Sequence, residues 1–284
     1  NLNRHLKVLD EAGVVWIRLK YHKRFSTVAT AWDIGLGAVV SLYILLRFNI
    51  GLVHARSYVS AVIALFLKKV ARVKFIFDMR GFWADERVDA GNWRASSKLY
   101  ACAKRFERRF LLQADAVVSL TNTGVSIIES FPYMRGLKKN LFVIPTCADT
   151  KRFVIDRGFK QNKSSFILGY AGTVRGWYMF QPAVDFFKRL TAVSPGAKLR
   201  IFNRGDHEYI RDFTAKNGIP ASSVEISEVT FDDMPRALSS LDAAVFFIKP
   251  VFSKQGSFPT KLAELLCCGV PCVCNGYVED VRLI

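Results

Sequence analysis

The chain has 284 residues, of which 51% are hydrophobic and 23% charged, a composition that excludes extended disorder and suits one large or two ordinary domains. Its 41 Lys and Arg residues outnumber 24 Asp and Glu residues, so a formal net charge of +17 attracts phosphates, acidic lipids or nucleic acid. Because the basic residues are scattered and no zinc-finger, basic-zipper or RNA-recognition signature occurs, a nucleic-acid partner is disfavoured.

The first part of the chain predicts helices that alternate with strands. Helical periodicity over Leu2 to Ala12 is followed by the strand-like run VVWIRL. Further buried strands are predicted at IGLVHA, VKFIFDM, DAVVSLT and LFVIPT, with helices at Tyr58 to Val70 and Trp93 to Leu112. This alternation predicts a parallel sheet covered by helices.

One early segment is strongly apolar. The stretch Ile34 to Leu46 is shorter than the ~20 residues that cross a bilayer, and it predicts a buried helix. Basic residues flank the apolar segments of this region: Arg47, Lys68, Lys69, Arg72 and Lys74. This pattern suits contact with an anionic membrane surface, and a solvated basic rim over buried helices is the alternative. The polar opening NLNRHLK has no signal-peptide pattern, so we expect a cytoplasmic location, with peripheral attachment to the inner face of the membrane as a further expectation.

The second part repeats the alternation. Strands are predicted at FILGYAG, KLRIFNR, VEIS, AAVFFI and PCVCN, and helices at Gln181 to Ala192, His207 to Asn217, Met234 to Leu241 and Pro259 to Cys268. The polar stretch Asp149 to Ser165 marks the join, which gives Rossmann-like domains at 1–150 and 151–284. The predicted fold class is therefore α/β, with two Rossmann-like domains. Since neither GxGxxG nor GxxxxGK[ST] occurs, a dehydrogenase or a P-loop ATPase is disfavoured.

The segment Ser257 to Asn275, SFPTKLAELLCCGVPCVCN, predicts a helix that starts after Pro259 and ends at Gly269. Lys261 and Glu264 share one face of that helix. A helix N-terminus beside a cation suits phosphate oxygens, and a carboxylate one turn later suits sugar hydroxyl groups. This combination indicates a nucleotide-sugar site, and the alternative is a surface helix with an i,i+3 ion pair.

Two loops at predicted strand ends also carry candidate residues. In DMRGFWADER, Arg80 could clamp an anionic group, Phe82 and Trp83 could stack on a sugar, and Asp78 or Asp85 could orient a hydroxyl group. The alternative is that these charges pair with one another.

In GYAGTVRGWY, Gly172 permits a close backbone approach to a diphosphate, and Arg175 would neutralise its charge. His54 ends the strand IGLVHA and is followed by Arg56, and a satisfied buried histidine is the alternative there.

Metal and cofactor signatures are not found in the sequence. Four of the six cysteines crowd together at Cys267, Cys268, Cys272 and Cys274, but their spacing favours small buried thiols over zinc ligands. The histidines show no HExxH spacing. We expect no metal and no cofactor, and a reducing compartment.

Taken in order, HARS, DMRGFWADE, VVSLTN, VIPTCADTKRF, LGYAGTVRGWY and SFPTKLAELLCCGVP resemble the bacterial family 4 glycosyltransferases, which have the two-domain GT-B fold. The resemblance implies metal-independent transfer of a sugar, with retention, from a nucleotide-diphosphate donor to a glycan or lipid-linked acceptor in polysaccharide or glycolipid assembly. It implies that Glu264 holds the donor ribose, that Lys261 and Arg175 hold the diphosphate, and that the 151–284 domain binds the donor.

By the same resemblance, the DMRGFW loop meets the acceptor and the reacting sugar. Asp78 and Arg80 are then the catalytic candidates, and His54, Arg56 and Trp83 are the acceptor-binding candidates. The general base is not identified.

The sequence also departs from the family pattern. Many relatives have an acid eight positions before Glu264, where this chain has Gly256, and Thr146 and Cys147 replace the usual Asn and Gly of the linker. The chain also resembles a family member truncated at both ends. A nucleotide-sugar epimerase and a noncatalytic module that docks on membrane or polymer remain alternative functions.

Overall fold

The computed structural model describes residues 2–20, 22, 26–155, 165–276 and 280. It divides into two compact units, one formed by Asn1–Asp78 with Arg109–Asp115 and the other by Met79–Arg108 with Ala116–Ile284. The domain boundary at 150 stays a prediction, and part of the predicted join, 156–164, lies outside the described residues.

The first unit contains α1 (Leu2–Glu11), α2 (Ser26–Arg47), β1 (Leu52–Arg56), α3 (Ser57–Ala71) and β2 (Lys74–Asp78). β1 and β2 are parallel, and their register runs from Leu52 opposite Lys74 to Arg56 opposite Asp78. Phe75 and Phe77 on β2 are fully buried because alternate side chains of the strand point into the core. Asp115 then fixes the start of β2, since its carboxylate accepts the Phe75 N–H at 2.8 Å.

Two predictions for this unit are wrong. The run VVWIRL forms no strand, and its residues are exposed, because alternation alone does not supply the neighbouring strand that a ladder needs. The helix over Ile34 to Leu46 exists within α2, but only Gly37 and Leu45 of these residues are buried. Its stretch Ala29–Arg47 is long and apolar enough to cross a membrane by length and composition, and 11% of its most apolar window is buried.

The second unit begins with α4 (Trp83–Asp89), α5 (Lys98–Gln113, whose last residues belong to the first unit), β3 (Ala116–Ser119), α6 (Asn122–Ser130) and β4 (Leu141–Val143). β3 and β4 are parallel. The sequence patterns did not indicate α4 or α6. Thr121 caps α6, because its side chain accepts the Gly124 N–H at 2.9 Å.

The rest of the second unit is a five-stranded sheet with helices. Its elements are β5 (Ile167–Ala171), α7 (Phe180–Val193), β6 (Lys198–Phe202), α8 (His207–Lys216), β7 (Val224–Ser227), α9 (Met234–Ser239), β8 (Ala243–Phe246), α10 (Thr260–Cys267) and β9 (Cys272–Cys274). The strand order is β7-β6-β5-β8-β9, and every pair is parallel. The prediction of an α/β fold with helix-covered parallel sheets is confirmed.

Candidate functional site

The helix α10 forms as the sequence predicts. Pro259 has an extended backbone and directly precedes the helix, and Gly269 adopts a φ of 68° just after its end. The Gly269 N–H donates to Leu266 O at 2.9 Å and the Val270 N–H to Leu265 O at 3.0 Å, so the left-handed residue satisfies the last carbonyl groups. These ends fix which residues lie in the first turn of α10.

Lys261 in that first turn reaches the carboxyl end of β5. Its Nζ donates to Ala171 O at 2.5 Å and lies 3.6 Å from the ring centroid of Tyr178. Gly172, next in the chain, has a φ of 115°, and an added Cβ would stand 2.7 Å from the same Nζ. The predicted approach between α10 and the GYAGTVRGWY loop is therefore present, and it needs glycine at position 172.

Burial tunes the charge of both α10 candidates. Desolvation lowers the pKa of Lys261 from 10.5 to about 8, against the opposing effect of the Glu264 charge. Desolvation raises the pKa of the half-buried Glu264, while Lys261 and Arg152 lower it. Among the described ion pairs, none joins Lys261 to Glu264, since the ammonium group engages the Ala171 carbonyl instead.

Arg152 is a neighbour of this site that the sequence did not single out. Its guanidinium group lies 3.6 Å from the ring centroid of Phe231 and bonds the Phe231 carbonyl and, at 3.0 Å, Asp232 Oδ1. Arg152 belongs to the linker segment VIPTCADTKRF, but no residue pattern in the sequence indicated that it lies near Glu264.

A cavity of about 270 Å³ opens beside the Gly172 loop. Phe202, Val229 and Met234 give it apolar walls, and Thr173, Asn203 and Arg204 give it polar ones. Asn203 is fixed there, because its Nδ2 donates to Gly172 O at 2.9 Å and its Oδ1 accepts the Asp206 N–H at 2.8 Å. The carboxyl ends of β5 and β6 thus enclose a small mixed pocket, which is where ligands bind in open parallel sheets.

Arg175 lies at the rim of the same loop. Its Nε is 3.4 Å from Asp206 Oδ1, and its guanidinium group is 4.0 Å from the ring centroid of Tyr209. The side chain remains 59% exposed, so it can reach an anionic ligand without leaving a buried environment.

In the first unit, the structure brings three predicted residues together at the carboxyl ends of β1 and β2. Asp78 Oδ2 lies 3.6 Å from His54 Nε2 and 4.0 Å from Arg56 Nε. The His54 side chain is 58% exposed, so the interpretation of a buried, satisfied histidine is wrong.

In the second unit, the rest of the DMRGFWADER loop is arranged around two residues of positive φ, Arg80 at 61° and Gly81 at 124°. Trp83 opens α4 with its ring edge-on to Trp93 at 5.2 Å. Phe82 is 1% exposed, so the prediction that it stacks on a sugar is wrong. The Asp85 carboxylate is held within the protein, because it accepts hydrogen bonds from Tyr100 Oη at 2.8 Å and from Lys104 Nζ at 2.9 Å.

A short 3-10 turn at Phe252–Gly256 packs against this loop and contributes a further residue that sequence reasoning missed. Lys254 is 8% exposed, its Nζ lies 2.7 Å from Glu86 Oε1, and it is 4.1 Å from the ring centroid of Trp177. No motif marked Lys254. In the described part of the chain, Asp78, Asp85 and Glu86 of this loop therefore pair with cations from other segments.

The cysteine-rich segment packs as small side chains. Cys268 is fully buried, and burial raises the pKa of Cys272 to about 12, so both thiols are protonated at neutral pH. Within the described part of the chain, no group of three or more His, Cys, Asp and Glu side chains could hold a metal ion.

Comparisons with known proteins place this geometry in context. Residues 4–135 match the family model described as the glycosyl transferase 4-like domain, which confirms the resemblance over that part of the chain. No curated protein matches the sequence.

Solved structures match almost the whole chain. Sucrose-phosphate synthase from Thermosynechococcus elongatus has a TM-score of 0.67 at 12% identity, over 91% of this chain and 64% of that one. HepE of Anabaena, in complex with UDP and glucose, has a TM-score of 0.65 at 14% identity, over 98% and 72%. A glycosyltransferase from Rickettsia africae has a TM-score of 0.64 at 14% identity, over 98% and 70%. These likenesses confirm the GT-B fold, and this chain spans about two thirds of the length of the first two proteins.

Proposed function

We propose that this chain, whose residues 4–135 match the glycosyl transferase 4-like domain, transfers a sugar from a nucleotide-diphosphate donor to a glycan or lipid-linked acceptor, with retention at the anomeric carbon. The observation that carries the proposal is the meeting of Lys261 with the Gly172 loop at the carboxyl end of β5.

The diphosphate of the donor fits this meeting point. Among the described residues no side chain caps the start of α10, Gly172 allows the backbone to come close, and the Lys261 ammonium group supplies positive charge. Arg175 stands at the rim as a second cation. These groups would stabilise the negative charge that develops on the departing nucleotide diphosphate without a metal ion.

The nucleoside fits the neighbouring features. We assign the ribose to Glu264, because a half-buried carboxylate one turn after Lys261 can accept hydrogen bonds from adjacent hydroxyl groups. The base would enter the cavity beside Gly172, whose volume of about 270 Å³ suits part of a ligand and not all of it. The UDP and glucose in the HepE complex support a donor of this class.

The acceptor is assigned to the residues of the first half. Asp78, with His54 and Arg56 beside it, would orient an acceptor hydroxyl group, and Trp83 would contact a sugar face. Arg80 would neutralise charge at the reacting centre. We propose a cytoplasmic location, in keeping with six free cysteines, and a role in polysaccharide or glycolipid assembly.

The test is a calorimetric titration of the full chain with UDP, GDP and a panel of their sugars. We expect one nucleotide class to bind, and Glu264→Gln and Lys261→Met each to weaken it by roughly tenfold or more, as loss of a charged hydrogen bond does. The control Glu208→Gln, on exposed surface, should bind like the original chain. Equal binding by all four proteins would refute the donor site, and turnover without an added acceptor would favour the epimerase.

A further inference from the structure

The exposed face of α2 carries a continuous apolar stripe. Trp32, Leu36, Val39, Tyr43 and Leu46 recur every three or four residues and therefore lie on one side of the helix. Each of these side chains is between 36% and 67% exposed. The one charged residue between Trp32 and Leu46 is Asp33, whose side chain is 14% exposed and pairs with His22 at 2.7 Å.

The other side of α2 belongs to the core of its unit. Leu45 and Leu42 pack in a cluster with Leu67 and Val73. Gly37 lies so close to Ile63 that an added Cβ would stand 2.9 Å from the Ile63 Cδ1. A helix with one face fixed in a folded unit and the other face apolar and exposed is suited to lie on a bilayer and not to cross it.

Cations gather where α2 and α3 end. Since Leu52 at the start of β1 pairs with Lys74 at the start of β2, α2 and α3 both end at the same edge of these strands. Asp115 offsets Lys68 and Lys74, at 2.5 and 3.8 Å.

Three further cations lie at the C-terminal ends of α2 and α3: Arg47, Lys69 and Arg72. All three are exposed, and no described residue forms an ion pair with them. Exposed Phe48 and Val70 lie next to them in the chain.

We propose that the α2 stripe docks on an anionic lipid bilayer, with Arg47, Lys69 and Arg72 facing the phosphate groups of the lipids. Tryptophan and tyrosine side chains favour the boundary between headgroups and hydrocarbon, and both occur on the stripe. The net charge of +17 attracts an anionic surface and opposes a second copy of this chain. The inference stands on the first unit alone and is independent of the donor site.

The experiment is co-sedimentation of the full chain with vesicles of phosphatidylcholine alone or mixed with phosphatidylglycerol. We expect binding to the mixed vesicles, release by high salt, and little binding to phosphatidylcholine alone. Val39→Asp with Tyr43→Asp, and separately Lys69→Glu with Arg72→Glu, should each weaken binding by roughly tenfold or more. The control Val193→Asp changes a valine that is more exposed than Val39, at 82% against 66%, and should bind like the original chain.

Each outcome decides the question. Absence of binding to the mixed vesicles, or equal binding by the stripe variant, overturns the proposal. A dimer in light scattering that the stripe variant converts to monomer also overturns it, because the face would then bind a second copy. UDP titration of every protein separates the hypotheses: vesicle binding without nucleotide binding refutes only the donor site, and the reverse refutes only the docking face. The thermal unfolding midpoint of each variant verifies that it is folded.

Discussion

Gly256 lies against the ring of Phe82, where an added Cβ would stand 2.8 Å from the Phe82 Cε2. The backbone φ of Gly256 is not positive, so space and not conformation requires the glycine. The Phe82 ring cannot turn away, because it is 1% exposed and its centroid lies 5.1 Å from the ring centroid of Phe252. Many family 4 relatives have an acid at the position of Gly256. In this chain the Phe82 ring fills the space that a side chain at this position would need.

Introducing that acid should destabilise the protein. We expect Gly256→Glu to lower the free energy of unfolding by about 1–3 kcal/mol, because a larger side chain in a packed site forces its neighbours to move. Urea unfolding measures the change. Gly51→Glu is the matched control, since nothing lies within 4 Å of an added Cβ there. If both variants lose the same stability, the contact with Phe82 is not what excludes the acid.

Lys261 should reduce stability at neutral pH. Because its pKa is about 8 in the folded chain and 10.5 ordinarily, the unfolded chain binds more protons between those values, and stability rises with pH across that window. Lys261→Met removes the burial of a charge, so we expect it to raise the free energy of unfolding by about 1–3 kcal/mol at pH 7. The stability of this variant should also rise less between pH 8 and 10.5 than that of the original chain. Thermal unfolding at a series of pH values tests this. A Lys261→Met protein that is less stable than the original at pH 7 would contradict the expectation.

The pair Lys254 and Glu86 should show strong coupling. Removing one partner leaves the other charge half-buried, so Lys254→Met and Glu86→Gln are each expected to cost about 1–3 kcal/mol, less than a fully buried pair because Glu86 keeps 29% exposure. The double variant should lose clearly less than the sum of the two. A double-mutant cycle in urea provides the measurement, and strictly additive losses would mean that the two charges do not interact.

Filling the cavity beside Gly172 should block the nucleotide and not the fold. Val229 is part of the cavity wall and is only partly buried, so Val229→Trp can place its ring in the cavity. We expect nucleotide affinity to fall by roughly tenfold or more, with little change in the unfolding midpoint. Val193→Trp, at the exposed end of α7, is the control for the added ring. Unchanged affinity in Val229→Trp would remove the base from this cavity.

Much of the fold could be predicted because its signals are local. Apolar runs in the sequence predict the strands β1 to β9, and a proline before α10 and a glycine after it predict the ends of that helix. The meeting of Lys261 with Gly172 also followed from local rules, since parallel strands bring their carboxyl ends to one edge.

The rest depends on partners that are distant in the chain. Whether Phe82 faces a ligand or the interior is decided by Gly256, and Lys254 is placed by Glu86, far away in the sequence. The apolar content of α2 suggested a core helix, but burial depends on what packs around the helix and not on its composition. VVWIRL had the pattern of a strand without a neighbour to complete it.

Trp177 and Tyr178 are adjacent in the chain, and each carries a lysine ammonium group over its ring, Lys254 at 4.1 Å and Lys261 at 3.6 Å. A displacement of either lysine alters the electric field at these rings. Indole emission is sensitive to such a field, so the emission of Trp177, one of five tryptophans in the chain, responds to a displacement of the Lys254 ammonium group.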